Sequence, residues 1–210
     1  LVIVTSDNGP WFNYGNHAGS AGGLREGKGT TFDGGQKVPA MMAWKGSLPE
    51  GKILNGLASG IDILPTICEA TGVHLPVRQI DGISLLSYLK GKTESPREMF
   101  LYYYRKNSLE AIRFQNWKLV FDHPGRTYEG FEPGKDGQPG KVNENFSHKS
   151  GLYDLRRDPG ERYDVSAYFP EVIEKLNSLA DQARVELGDD LKNTMGKNNR
   201  EIGKTKESNK

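Results

Sequence analysis

The chain has 210 residues, a formal net charge of +1 at pH 7 and one cysteine. That length allows one or two domains with a real core. The balanced charge gives no support for nucleic acid as a partner, no apolar run is long enough to span a bilayer, and one cysteine excludes an internal disulfide.

Leu1-Val2-Ile3-Val4 is a continuous apolar run rich in β-branched residues, the pattern of a strand buried on both faces of a parallel sheet. Asn8-Gly9-Pro10 then stops it with strong turn chemistry. Asp7 and Asn8 therefore stand at the carboxyl end of a buried strand, where open α/β sheets place their ligands. A carboxylate and an amide carbonyl there are hard oxygen donors suited to Ca²⁺ or Mg²⁺. Asp-Asn-Gly is also an ordinary turn when read alone.

The loop from Trp11 to Gly23 is too glycine-rich for a helix, and His17 within it is a secondary candidate for a substrate contact. From Leu24 to Gly35 glycine alternates with charge and hydroxyl, without helical or strand periodicity. Lys28, between Gly27 and Gly29, suits an anion held by a point charge, with no neighbouring side chain to crowd its ammonium. The spacing is not that of a phosphate-binding Walker loop.

Val38 to Trp44 reads as a second buried strand. Leu64, Ile67, Cys68 and Thr71 recur at helical spacing, with Asp62 a candidate cap, Gly72 a stop, and Cys68 a small core residue. A short helix follows Asp81-Gly82 and ends at Gly91. Beyond a composition shift at Lys92–Glu98, residues 99–104, 109–113 and 117–121 read as an antiparallel meander. Of Tyr102, Tyr103 and Tyr104, at least two are expected in the core. Residues 122–149 read as a long surface loop, 152–155 as an edge strand, and the stripe Val172, Leu176, Leu179, Ala180, Ala183, Leu187 as a helix covering the sheet.

Taken together, Ser6-Asp7-Asn8-Gly9-Pro10, Gly27-Lys28-Gly29-Thr30-Thr31-Phe32-Asp33-Gly34-Gly35, Val38-Pro39-Ala40, Ser59 to Thr66, Asp81 to Ser84, and Leu152 to Leu155 with Asp158-Pro159 and Glu161 resemble the sulfatase family of the arylsulfatase A type. The resemblance runs over most of the chain. It implies an α/β, alkaline-phosphatase-like fold, with residues 1–95 belonging to the catalytic domain, 96–188 forming a small α+β subdomain of about four antiparallel strands plus a helix, and 189–210 a disordered polar tail. It implies sulfate-ester hydrolysis of a sulfated small molecule or sulfated glycan, with Asp7 and Asn8 as ligands of Ca²⁺ (or Mg²⁺) and Lys28 on the sulfate.

The family's formylglycine nucleophile arises from the cysteine (sometimes serine) of a Cys-x-Pro-x-Arg motif, which this sequence lacks. The expectation is a carboxyl-terminal part that holds half a metal site, is inactive alone, and needs the amino-terminal part of the same enzyme. The family also suggests a periplasmic, extracellular or lysosomal-type location. Two rival readings are a phosphodiesterase or phosphonate hydrolase of the same superfamily, and a non-catalytic carbohydrate-binding remnant.

Overall fold

A computed structural model describes residues 1–200, so residues 201–210 of the expected tail lie outside the described residues. β1 (Val2–Thr5) pairs antiparallel with β2 (Ala40–Ala43), Val2 facing Ala43 and Thr5 facing Ala40. The antiparallel pairing corrects the expected parallel one. Among the described residues these two strands alone form the sheet, and Val2 (60%), Val4 (51%) and Met41 (64%) are exposed. An apolar run states what a strand could bury; which neighbours cover it is a tertiary matter.

A 3₁₀ segment at Phe12–His17, broken by Gly15 at φ 57°, occupies the expected loop. Short helix α1 (Asp33–Gln36) follows the glycine-rich stretch. Helix α2 (Ile63–Thr71) ends on Gly72 in the left-handed region at φ 71°, a conformation that costs glycine little. Asp62 is structural: its carboxylate accepts the backbone N–H groups of Ser59 and Ile83 and pairs with Arg97. Cys68 is buried on α2, as its apolar spacing requires. Helix α3 (Leu86–Leu89) completes the first region.

The second region is an antiparallel sheet in the order β3 (Met99–Tyr104), β4 (Ser108–Phe114), β5 (Trp117–Val120), β8 (Gly151–Asp154). The register places Ile112 against Leu119 and Leu119 against Leu152. Those three point to one face, where α4 (Pro170–Leu187) lays down Leu176, Ala180 and Ala183. Successive strand residues alternate faces, so Ala111, Lys118, Val120 and Tyr153 point to the other. That face is covered by Phe32 of the glycine-rich stretch, packed with Tyr102, Ala111, Val120 and Tyr153. The sheet thus holds its helix on one side and the lysine-bearing loop on the other. Tyr102 is buried and Tyr103 half-buried, while Tyr104 is exposed.

Residues 122–149, expected as a surface loop, contain a hairpin of β6 (His123–Thr127) and β7 (Asn143–His148). The inward positions of β6 are His123, Gly125 and Thr127. The period of two is present, but polar residues and glycine carry it, so no hydrophobic alternation announces it.

The start of the polar tail is also ordered. Asp189 is fully buried, takes N–H bonds from Leu109 (3.1 Å) and Leu191 (2.9 Å), and pairs with Arg184 Nε at 2.9 Å. One carboxylate with its partners in place anchors a segment that has little apolar surface to bury. Among the described residues, no helix is long and apolar enough to cross a membrane.

Candidate functional site

Two backbone hydrogen bonds join the turn after β1 to the glycine-rich loop: Gly9 N–H to Gly35 O at 2.9 Å and Lys28 N–H to Pro10 O at 2.8 Å. The sequence permits this because three contacts leave no room for a side chain. A Cβ on Gly9 would lie 1.8 Å from Gly34 O, one on Gly27 2.5 Å from Pro10 O, and one on Gly34 2.0 Å from Glu26 O. The glycines therefore serve chain-on-chain packing, which brings the Asp7-Asn8 turn and Lys28 into one assembly.

Asp7 is exposed and Asn8 part-buried, and neither side chain has a hydrogen-bond partner among the described residues. Ser6 Oγ donates to Asn8 O at 2.9 Å, which steadies the turn and leaves both side chains open. They could supply two hard oxygens to a divalent cation. No group of three or more His, Cys, Asp and Glu side chains suited to a metal occurs among the described residues. Two oxygens are a minority of the roughly six to eight that Ca²⁺ takes.

The Lys28 ammonium lies 4.8 Å from the Trp11 ring centroid, and no carboxylate pairs with it among the described residues. The expectation of an uncrowded ammonium is corrected by this contact. A ring face holds a cation without neutralising it, so the full positive charge stays available to an anion. His17 stands exposed at the end of the 3₁₀ segment and makes no hydrogen bond to Asp7, Asn8 or Lys28.

Sequence reasoning missed the groups that carry the loop. Lys118, fully buried, donates to Thr31 O (2.7 Å) and Asp33 Oδ1 (3.0 Å), contacts Glu161 Oε1 at 2.7 Å, and lies 4.3 Å from the Tyr102 ring centroid. Glu161 also accepts the Asp33 N–H at 2.6 Å. Burial works against the Lys118 ammonium, but Tyr102, Glu161 and Asp33 more than offset it, and its pKa is raised. Burial pushes the Glu161 carboxyl up, with Lys118 opposing. In the sequence, Lys118 is one charged residue within an otherwise apolar strand, and nothing local marks it for burial. Only the loop across the sheet turns it inward.

A second clamp comes from the hairpin. Glu26, at φ 59° in the left-handed region, has its carboxylate held by Tyr128 N–H (2.9 Å) and the Thr127 hydroxyl. Such a backbone costs a non-glycine residue about 1–3 kcal/mol unless its surroundings over-determine it; the two bonds to Glu26 do so.

A sequence model for the C-terminal region of aryl-sulfatase matches residues 95–206, and the sulfatase model matches residues 1–73. Arylsulfatase A of Homo sapiens is 35% identical over 188 residues, which cover 85% of this chain and 36% of that protein. N-acetylgalactosamine-6-sulfatase of Canis lupus familiaris is 34% identical over 189 residues, with the same two coverages of 85% and 36%. Among solved structures, the PsFucS1 sulfatase from Pseudoalteromonas sp. superposes with a TM-score of 0.70 at 26% identity, covering 86% of this chain and 36% of that one. The phosphonate monoester hydrolase of Agrobacterium radiobacter superposes with a TM-score of 0.52 at 25% identity, covering 89% and 37%. The chain thus spans about a third of the length of these relatives. With the sequence model of the C-terminal region alone covering more than half of its residues, on an α/β framework shared with solved sulfatases, this chain belongs to the sulfatase family.

Proposed function

We propose that this region serves hydrolysis of a sulfate ester, with Asp7 and Asn8 as two ligands of a divalent cation, Ca²⁺ or Mg²⁺, and Lys28 as a ligand of the sulfate. The observation that carries the reading is the backbone stitching of the Asp7-Asn8 turn to the Lys28 loop, with Asp7 and Asn8 side chains that have no hydrogen-bond partner and a Lys28 ammonium that has no carboxylate partner among the described residues. When bound, the cation polarises the sulfate oxygens. Asp7 and Asn8 present oxygen atoms to it from a turn whose backbone is already fixed. Lys28 places an unpaired ammonium against the sulfate and the charge that develops on the leaving oxygen. Such pre-set charge needs no reorganisation during reaction.

The substrate class is a sulfated small molecule or a sulfated glycan, as the names of the sulfatase relatives suggest. Cys68 is buried in α2 and followed by Glu69-Ala70, so these 210 residues offer no formylglycine motif and no nucleophile of that type. Turnover therefore requires the amino-terminal part of the same enzyme.

The test is the Lys28→Ala variant of an enzyme that contains this region and its formylglycine segment, assayed on an activated aryl sulfate. kcat/KM is expected to fall about 10²–10³-fold, the scale for one transition-state donor, with an unchanged thermal midpoint. An aryl phosphonate assayed beside it distinguishes the phosphonate reading that the Agrobacterium radiobacter neighbour raises. Residues 1–210 alone should turn over neither ester. Metal-dependent turnover by the 210-residue chain, abolished by Lys28→Ala, would overturn the reading and demand another nucleophile.

A further inference from the structure

Both peptide groups that flank Lys28 are pinned. Its N–H donates to Pro10 O at 2.8 Å, and its carbonyl accepts from the Tyr128 hydroxyl at 2.5 Å and from Arg126 Nη1 at 3.3 Å. With those groups fixed, the direction in which the side chain leaves the backbone is fixed too, and Trp11 guides the ammonium from there.

The partners are themselves held. Arg126 Nη1 also donates to the Tyr128 hydroxyl oxygen at 3.2 Å, while its Nε and Nη2 grip the two Glu144 oxygens at 3.0 and 2.7 Å. The Tyr128 ring stands edge-on to Phe12, 5.6 Å between centroids. A chain of polar contacts thus runs Glu144, Arg126, Tyr128, Lys28 carbonyl. Gly29 at φ 91° packs directly against Arg126; a Cβ there would lie 2.9 Å from Nη1. Every member from 126 to 144 belongs to the β6–β7 hairpin, a part of the molecule that contributes no side chain to the Asp7-Asn8 turn.

We propose that Tyr128 and Arg126 are positioning residues that set where the Lys28 ammonium meets the sulfate, so that the small subdomain tunes the reaction through one carbonyl. The inference rests on the reading of Lys28 as the sulfate ligand. Its chemistry is simple. A phenol O–H and a guanidinium N–H on one carbonyl oxygen leave the loop no freedom to carry the ammonium away, and misplacement by about 1 Å can cost about 10²-fold in rate.

The experiment is a double-mutant cycle in the whole enzyme, with kcat and KM for an activated aryl sulfate measured separately. Tyr128→Phe keeps the ring against Phe12 and removes only the hydroxyl. It should lower kcat/KM about tenfold or more with an unchanged thermal midpoint. In a Lys28→Ala background the same change should cost less than about twofold, because groups that act as a unit are non-additive. An equal loss in both backgrounds, or no loss in either, overturns the inference.

A case in which Lys28→Ala itself leaves kcat/KM intact fails the reading of Lys28 first, and is told apart by that single variant. Should Tyr128→Phe not fold, Glu144→Gln repeats the cycle from the half-exposed end of the chain of contacts. Arg126→Lys, which retains charge without the planar fork, should fall in the same direction as Tyr128→Phe and be silenced in the same way by Lys28→Ala.

Discussion

The two halves of the molecule handle apolar sequence in opposite ways. The four-stranded sheet of the second region buries its inner face: Leu109, Ile112 and Leu152 are fully inaccessible beneath α4. The first region leaves Val2, Val4 and Met41 on a bare two-stranded ribbon and Ile61, Leu64 and Ile67 exposed around α2. A two-stranded ribbon is at best marginal alone, and the glycine-rich loop of the first region is held where it touches the second. That contact is polar as well as apolar, made by Lys118, Asp33 and Glu161 around Phe32. The difference teaches that the candidate site does not sit on the sheet with the larger apolar core. It is a glycine-rich loop of the exposed half, laid across the sheet of the buried one.

The sharpest way to break this arrangement is Lys118→Ala. It leaves two buried carboxylates facing each other without their cation. Removing one partner of a buried ion pair costs about 3–5 kcal/mol. Denaturant unfolding should record a loss of that order, and amides of residues 25–35 should lose protection from hydrogen exchange. A loss below about 1 kcal/mol, the scale of an exposed ion pair, would mean that the cluster is solvated and the halves are joined by something else.

A paired truncation sharpens the same contrast. Leu109→Ala should cost about 2–5 kcal/mol, as for a large-to-small change in a packed core. Val4→Ala, on the exposed ribbon, should stay within about 0.5 kcal/mol in this 210-residue chain. Equal losses would contradict the division into a buried and an exposed half.

The smallest effect concerns a buried polar seam in the second half. Glu110 Oε2 lies 3.2 Å from His123 Nε2, and His123 Nδ1 is 2.7 Å from Phe121 O. Burial pushes the Glu110 carboxyl up to about 7 and the His123 imidazole down to about 4. Distance alone suggests an ion pair, but those shifts favour a neutral one between about pH 4 and 7. The Nδ1–H donates to the carbonyl, which leaves Nε2 to accept from the protonated carboxyl.

The sign follows from linkage. A carboxyl raised on folding contributes stability that is complete below its unfolded pKa of 4.5 and is lost as pH rises through about 7. A lowered histidine contributes stability that is present above 6.5 and is lost as pH falls through about 4. The two slopes oppose each other between them. Glu110→Gln removes only the first, so the stability advantage of the parent protein over the variant should shrink by about 1–3 kcal/mol from pH 4.5 to above 7. Chemical denaturation across that range reads it, and a constant difference would disprove a protonated Glu110.

The sequence by itself determined the family, through ordered motifs; the helix of residues 170–187, through its apolar stripe; and the meander 99–120, through apolar and aromatic runs separated by turn residues. These signals are local, because helical and strand periods are written in neighbouring residues. It also marked Asp7, Asn8 and Lys28 as a group, since turn and glycine chemistry is local too.

Only the tertiary structure decided which of two faces a strand residue would bury. Lys118, which no local pattern sets apart, is the cation beneath the Lys28 loop. The β6–β7 hairpin escaped detection because His123 and Thr127 fill the inward positions where apolar residues give the usual sign. Asp189 and its Arg184 partner order a segment whose composition reads as tail. In each case the stabilising contact pairs residues far apart in the chain or buries polar groups against each other. Neither kind of contact leaves a periodic trace in sequence.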